Sequence, residues 1–391
     1  MKTPIQRKAK ATGYLPTLDG WRAIAVIGVM AFHSARISFL HLGAIQNSGD
    51  LGVNLFFAIS GILICSRLLQ EEQVHGRISL KRFYIRRVFR ILPPAFAYLL
   101  LIALLGKIHI VRVVRGAWLA AAFFYRNYYF IRHSNVQWAR LTNHFWSLSV
   151  EEHFYLLLPA ALLLFRNRKR LVALISVLVL LLARIFYVIA HPALIEKLGG
   201  FTGMSCRTDV QIVSLLWPAI LAIALSEEDV RLRVAYWIRP RFMLPLFAVI
   251  GVIVLAAQRL LDMHLGTFLY FVIIPLLFPI IILATVFYAK SIPGRILEWA
   301  PLRWIGRLSY SIYLYQQLFF TDVRSHSVLR YLQRFPEDII AVSFCAVASY
   351  YLIERPFMRL GHRLAPPVTA GRADLADTPV STRVGTAVSL V

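Results

Sequence analysis

Apolar residues in this chain come in blocks of about twenty, divided by short segments rich in Lys, Arg, Gly and Pro. The blocks cover roughly 23–42, 51–69, 91–110, 145–165, 171–190, 210–226, 242–262, 267–289, 305–322 and 338–357. Each has about the twenty residues that a helix needs to cross the hydrocarbon core of a bilayer. In lipid the backbone must satisfy its own hydrogen bonds, so only helices or closed barrels span. The blocks lack the two-residue alternation of a barrel strand. The pattern therefore predicts an all-α, polytopic membrane helix bundle of about ten transmembrane helices, in one domain over residues 1–365.

Composition and charge refine this picture. Of the 391 residues, 59% are hydrophobic, above the half or so that a soluble domain carries. A net charge of +24 would suit a nucleic-acid binder. Here the charge falls in clusters between apolar blocks, which is the pattern of the positive-inside rule, so no nucleic-acid partner is expected. Charge also decides the short stretch "AWLAAAFFYRNYYFI" (117–131). If it spanned, "RNRKR" (166–170) and "RLRVAYWIRPR" (231–241) would be thrown outside. Read instead as an interfacial or re-entrant piece of an outer loop, 107–144, it leaves both termini and most of the 43 Lys and Arg in the cytoplasm. Trp118 and the neighbouring tyrosines suit an interface.

The first block is too long for a cleavable signal peptide. The tail 366–391 is small, polar and punctuated by Pro and Gly, the composition of a disordered cytoplasmic extension. Cys65, Cys206 and Cys345 are scattered, so neither a disulfide framework nor a metal site is expected. No internal repeat stands out, which weakens an inverted-repeat transporter.

Several stretches carry candidate chemistry. "LDGWRAIAVIGVMAFHSAR" (18–36) holds Arg22 and His33, eleven residues apart. In a helix that is three turns plus about 20°, so both lie on one face, about 16 Å apart along the axis. Asp19 and Gly20 are placed to cap the helix. Ionisable residues at membrane depth usually face a polar cavity; a snorkelling arginine and a packing histidine explain the pair equally well. "KRFYIRRVFRILPP" (81–94) sets Arg87 and Arg90 on one helix face beside Arg86, an arrangement fit to fork onto phosphate or to anchor the helix at anionic lipid. "NHFWSLSVEEHFYLLLP" (143–159) packs His144, Ser147, Ser149, Glu151, Glu152 and His153 at the start of an apolar block. The two adjacent acids cannot share a helix face, so at most one points into a given cavity. "FFAISGILI" (56–64) offers Ser60-Gly61 as a small-residue step for helix packing. "CRTDVQ" (206–211) holds Arg207 and Asp209, either an acceptor-binding pair or a local salt bridge. Tyr313, Gln316, Gln317 and Glu354 read as interhelical polar contacts.

Taken in order, these stretches resemble the motifs of membrane-bound acyltransferase family 3, the bacterial O-acyltransferases of cell-surface sugars. The likeness runs from about Leu15 to Gly361. "LDGWRAIAV…FH" resembles the family's Arg-x10-His signature on Arg22 and His33, and "RRVFRILP" its Arg-x-x-Arg step on Arg87 and Arg90. "FWSLSVEEHFYLLLP" is similar to its Trp-Ser-Leu-x-x-Glu-Glu stretch on Glu151 and Glu152. "RTD", "SYSIYL" and "IERP" follow in family order. The chain departs at Ile62, Ser214 and Gln316, the last at a place where a His is common. With no hydrolase-like domain after the tail, the stand-alone form of the family is expected.

The resemblance implies a multi-pass enzyme of the bacterial inner (cytoplasmic) membrane. It would move an acyl group, acetyl first among them, from cytoplasmic acyl-CoA to a hydroxyl of a cell-surface or lipid-linked saccharide. In that frame Arg22, Arg86, Arg87 and Arg90 would bind the polyanionic donor. His33 would be the general base, with Glu151 or Glu152 orienting it. Trp146, Arg207 and Asp209 would meet the saccharide acceptor, within a membrane-lipid setting and without a metal. The competing expectation is a transporter or flippase of an anionic or lipid-linked sugar, with Arg22 and His33 on a proton-coupled path.

Overall fold

The computed structural model describes residues 14–33, 49–132, 137–165, 168–260, 264–320 and 329–366. The tail beyond Pro366 and the basic N-terminal segment lie outside the described residues. Eleven helices carry the architecture: α1 (Pro16–His33), α2 (Gly49–His75), α3 (Leu80–Lys107), α4 (Phe145–Leu164), α5 (Arg168–Ala190), α6 (Val213–Ala224), α7 (Pro240–Arg259), α8 (Ile274–Phe287), α9 (Ala300–Phe320), α10 (Glu337–Ser349) and α11 (Arg355–Leu364). No strand occurs among the described residues, so the all-α expectation holds.

Seven helices among the described residues are long and apolar enough to cross a membrane: Leu51–His75, Leu80–Lys107, Ala139–Leu164, Lys169–Ala190, Pro240–Ala257, His264–Phe287 and Glu337–Leu364. Gly200–Cys206 with Thr208–Ala224, bent by 67° between them, adds an eighth. Of the ten blocks read from the sequence, 23–42 in its described part and 305–322 are not among these, while 34–42 lies outside the described residues. The described part of the first ends at His33. The second is helical but carries Arg303, Arg307, Gln316 and Gln317. Both α1 and α9 lie inside the bundle, where a helix packs against protein and need not be apolar all round. The stretch 117–131 forms two short helices, Arg115–Ala122 and Arg126–Arg132, neither long enough to span.

The centre is a row of tightly packed neighbours: α6 on α2, α2 on α1, α1 on α9 and α9 on α10, with α11 closing over α3. Two glycines make the row possible. A Cβ on Gly306 of α9 would collide with the Asp19 carbonyl of α1. A Cβ on Gly61 would collide with the Leu215 carbonyl of α6, so the Ser60-Gly61 step does pack helices closely. The outward faces of α5 and α7 expose Val172, Leu180, Phe186, Leu244 and Val252. In water such faces would be costly, whereas lipid tails are their natural solvent.

Proline starts α1 at Pro16, pre-set for the first turn. Asp19 is therefore inside the helix rather than its cap, and its buried carboxylate serves other partners.

Candidate active site

A cavity of about 410 Å³ opens among the first turns of α1, the C-terminal half of α2, the start of α3, the start of α9 and α11. It narrows into a chamber of about 90 Å³. Arg22, Arg67, Arg87, Arg90 and Tyr310 border both, so the two spaces form one channel, a vestibule and an inner chamber.

The vestibule is walled by arginines. Arg22 comes from α1, Arg67 from α2, Arg86, Arg87 and Arg90 from α3, and Arg303 and Arg307 from α9. Spacings of three and four put each set on one face of its helix. Few carboxylates balance them. Arg22 Nη1 donates to Asp19 Oδ1 at 2.9 Å. The Tyr14 hydroxyl donates to the other oxygen of Asp19 and accepts from Arg303 Nη2 at 3.2 Å. Burial, aided by the Asp19 bond, pushes the Tyr14 phenol above its usual range. Glu71 pairs with Arg82 at 2.8 Å and Arg86 at 3.2 Å. Arg87 stacks over the Tyr155 ring, 4.8 Å from its centroid. Arg67 faces the open space, crowded by Arg22, Arg86, Arg87 and Arg90. Glu354 ends the π-helical turn Tyr350–Glu354 and accepts from Ser311 Oγ at 2.8 Å. Such turns often sit at functional sites.

In the chamber, Glu151 Oε1 accepts from Ser60 Oγ at 2.9 Å. Ser147, Glu151 and Tyr155 are four apart, so they line one face of α4. Ser147 Oγ and the Tyr313 hydroxyl are hydrogen-bonded at 2.5 Å across from α9. Phe56 and Phe57 supply apolar wall. An anion can therefore rest in the wide part while a small uncharged group reaches the carboxylate in the narrow part.

Of the residues singled out from sequence, the structure brings Arg22, Arg86, Arg87, Arg90 and Glu151 to this channel. Glu152, about 100° further round α4, lines neither space. Trp146 is a core residue packed edge-on against Phe57, with centroids 6.3 Å apart. Arg207 forks onto Asp209 at 2.9 and 3.0 Å, and Asp209 also pairs with Arg184. The "RTD" segment is thus a salt-bridge cluster at the 67° bend, away from both spaces. His33 ends the described part of α1 and lines neither space. Its Nδ1 lies 2.9 Å from the Val29 carbonyl. A carbonyl only accepts, so Nδ1 carries the proton and Nε2 keeps its lone pair.

Sequence reading missed Arg67, Arg303, Arg307 and the role of Ser60. The signal was periodic. Ser60 and Arg67 are seven apart, two turns on one face of α2, and Arg303, Arg307 and Tyr310 follow the same rule on α9.

Comparison with known proteins now decides the family. Residues 15–354 match the family described as an acyltransferase domain. The chain belongs to membrane-bound acyltransferase family 3. The acyltransferase is 28% identical over 387 residues to a putative peptidoglycan O-acetyltransferase, YrhL, of Bacillus subtilis, covering 92% of this chain and 57% of that protein. It is 28% identical to the peptidoglycan O-acetyltransferase OatA of Listeria monocytogenes, covering 89% of this chain and 56% of OatA. A putative O-acetyltransferase of Staphylococcus aureus is 31% identical over 92% of this chain and 60% of its own length. The chain thus spans rather more than half the length of these relatives. No solved structure matches it. Family membership points to acyl transfer and sets the transporter expectation aside.

Proposed function

We propose that this acyltransferase moves a short acyl group, acetyl first, from cytoplasmic acyl-CoA to a hydroxyl of a cell-surface saccharide, in the bacterial inner membrane. The observation that carries the reading is the single channel running from an arginine-walled vestibule into a narrow chamber headed by Glu151. A coenzyme A donor is polyanionic at one end and neutral at the thioester, and the channel runs from seven arginines in the vestibule to four at the chamber, where Phe56, Phe57, Ser60 and Ser147 also line it. Arg22, Arg67, Arg87 and Arg90 would hold the phosphates by charge-assisted bonds. The pantetheine arm would then run along α1 toward His33, about 16 Å further on.

The chemistry would start at Nε2 of His33, which keeps its lone pair while Nδ1 donates to the Val29 carbonyl. The acceptor hydroxyl loses its proton to Nε2 as its oxygen bonds to the thioester carbonyl carbon. Collapse of the tetrahedral intermediate breaks the C–S bond, and the imidazolium returns the proton to the leaving thiolate. The products are an O-acyl ester and free coenzyme A. General-base assistance of this kind is worth about 10²–10⁴ in rate. Glu151, bonded to Ser60, would balance positive charge in the chamber.

The test is direct. Purified full chain is incubated with radiolabelled acetyl-CoA and glycan released from bacterial envelopes. Label in the glycan with stoichiometric thiol release supports the reading. His33→Ala should bind donor and lose transfer; retained transfer would remove His33 from the mechanism.

A further inference from the structure

Just beyond the chamber lies a cluster that the proposed mechanism does not use. His144 is 3% exposed, and neither ring nitrogen has a hydrogen-bond partner among the described residues. Its ring is caged edge-on by Tyr98, Phe145 and Tyr313, with centroids 5.3, 4.8 and 5.5 Å away. Its carbonyl accepts from the Tyr313 hydroxyl at 2.9 Å. Tyr313 in turn bonds Ser147, and both line the chamber. One turn past Tyr313, on the same face of α9, Gln316 is fully buried, and neither its amide nitrogen nor its oxygen has a partner among the described residues.

Buried polar groups are nearly always paired, and each exception calls for a cause. Two such exceptions flanking one tyrosine are hard to attribute to packing. The nearby Arg126 is already held by Thr142, the Ala139 carbonyl and Asn143. The open hydrogen-bonding capacity is therefore that of neutral groups: a donor and an acceptor on the imidazole, two donors and an acceptor on the amide. A neutral hydroxyl, which both donates and accepts, matches it. His144 is also close enough to His33 for the two imidazoles to interact electrostatically.

We propose that His144 and Gln316 form the acceptor subsite, holding a neutral hydroxyl of a polyhydroxylated ligand at the inner end of the chamber, beside His33. This rests on the acyl-transfer reading above.

The test uses full-length protein in detergent, acetyl-CoA as donor and envelope-derived glycan as acceptor. His144→Phe and Gln316→Met fill the same space without the polar atoms. Each should leave acetyl-CoA affinity within twofold of wild type and raise the acceptor KM at least about tenfold, as a site built around a hydroxyl predicts. Without ligand, each should melt at or above the wild-type temperature, since an unpaired buried group has been removed. Gln316→His, which restores a donor and an acceptor, should recover much of the acceptor affinity. Variants whose acceptor KM stays within twofold, with donor binding and transfer intact, overturn the subsite and leave the acyl-transfer reading standing. A lower melting temperature with KM unchanged shows packing residues only and also overturns it. A wild-type protein that neither binds acetyl-CoA nor labels glycan overturns both.

Discussion

Arg67→Ala should separate ligand affinity from stability in opposite directions. Arg67 points into the vestibule among Arg22, Arg86, Arg87 and Arg90. Without a polyanion these like charges repel, so the arginine is held there at a cost to the fold. With a polyanion it becomes a ligand. A phosphate about 4 Å from a guanidinium is worth about 4 kcal/mol at an effective dielectric of about 20. The vestibule is open to water, and salt screens charges over about 8 Å at physiological strength. Discounting to roughly a third leaves about 1.4 kcal/mol, a tenfold rise in Kd for coenzyme A. Calorimetric titration of coenzyme A reads this number, and thermal unfolding without ligand reads the other. The variant should bind about tenfold more weakly at low salt, the gap should shrink at about 0.5 M salt, and its unliganded melting temperature should not fall. Unchanged affinity with a lower melting temperature would refute the assignment, because it would make Arg67 a structural residue.

Other consequences can be checked in the same preparations. Glu151→Gln should keep coenzyme A affinity within a few-fold yet slow transfer by an order of magnitude or more, while Glu152→Gln, off the channel, should change transfer less than threefold; single-turnover label transfer distinguishes them. Gly306→Ala drives a Cβ into the Asp19 carbonyl, a strain of about 1–3 kcal/mol, whereas Gly28→Ala on α1 meets open space and should be neutral or stabilising by up to about 1 kcal/mol; melting temperatures rank the two. Glu71→Ala frees Arg82 and Arg86 from their shared carboxylate and should lower the melting temperature, with a smaller loss of coenzyme A affinity than Arg22→Ala, since the freed guanidinium of Arg86 still faces the vestibule.

Much of this was legible in the chain because the bilayer enforces simple rules. Block length announced helices, and cluster charge kept 117–131 from being read as a span. The spacing of Arg87 and Arg90 was enough to put them on one face, and the adjacency of Glu151 and Glu152 was enough to say that only one could enter a cavity. Which one enters depends on the rotation of α4 against α2, and that is fixed by Ser60 reaching Glu151 from another helix. Arg67 was hidden for a similar reason: the chain treats it as the basic end of a span, and only the convergence of α1, α2, α3 and α9 turns it inward. Trp146, Arg207 and Asp209 pose the reverse problem, since each also has a partner within the fold. Their chemistry suits a sugar, and in the structure Phe57 packs against Trp146 while Arg184 joins the Arg207–Asp209 pair, contacts between helices that the sequence does not display.

The tapering of the channel has an electrical consequence. The vestibule is wide and walled by seven arginines, and the narrow chamber keeps four of them at its mouth before Phe56, Phe57 and Glu151. Moving one elementary charge across a membrane at 100 mV involves about 2.3 kcal/mol. On the proposed reading, the acyl group that passes inward would carry none, and its anionic coenzyme would stay in the vestibule. Group transfer by this route would neither draw on the membrane potential nor work against it, so its direction would be set by the chemistry of the acyl donor alone.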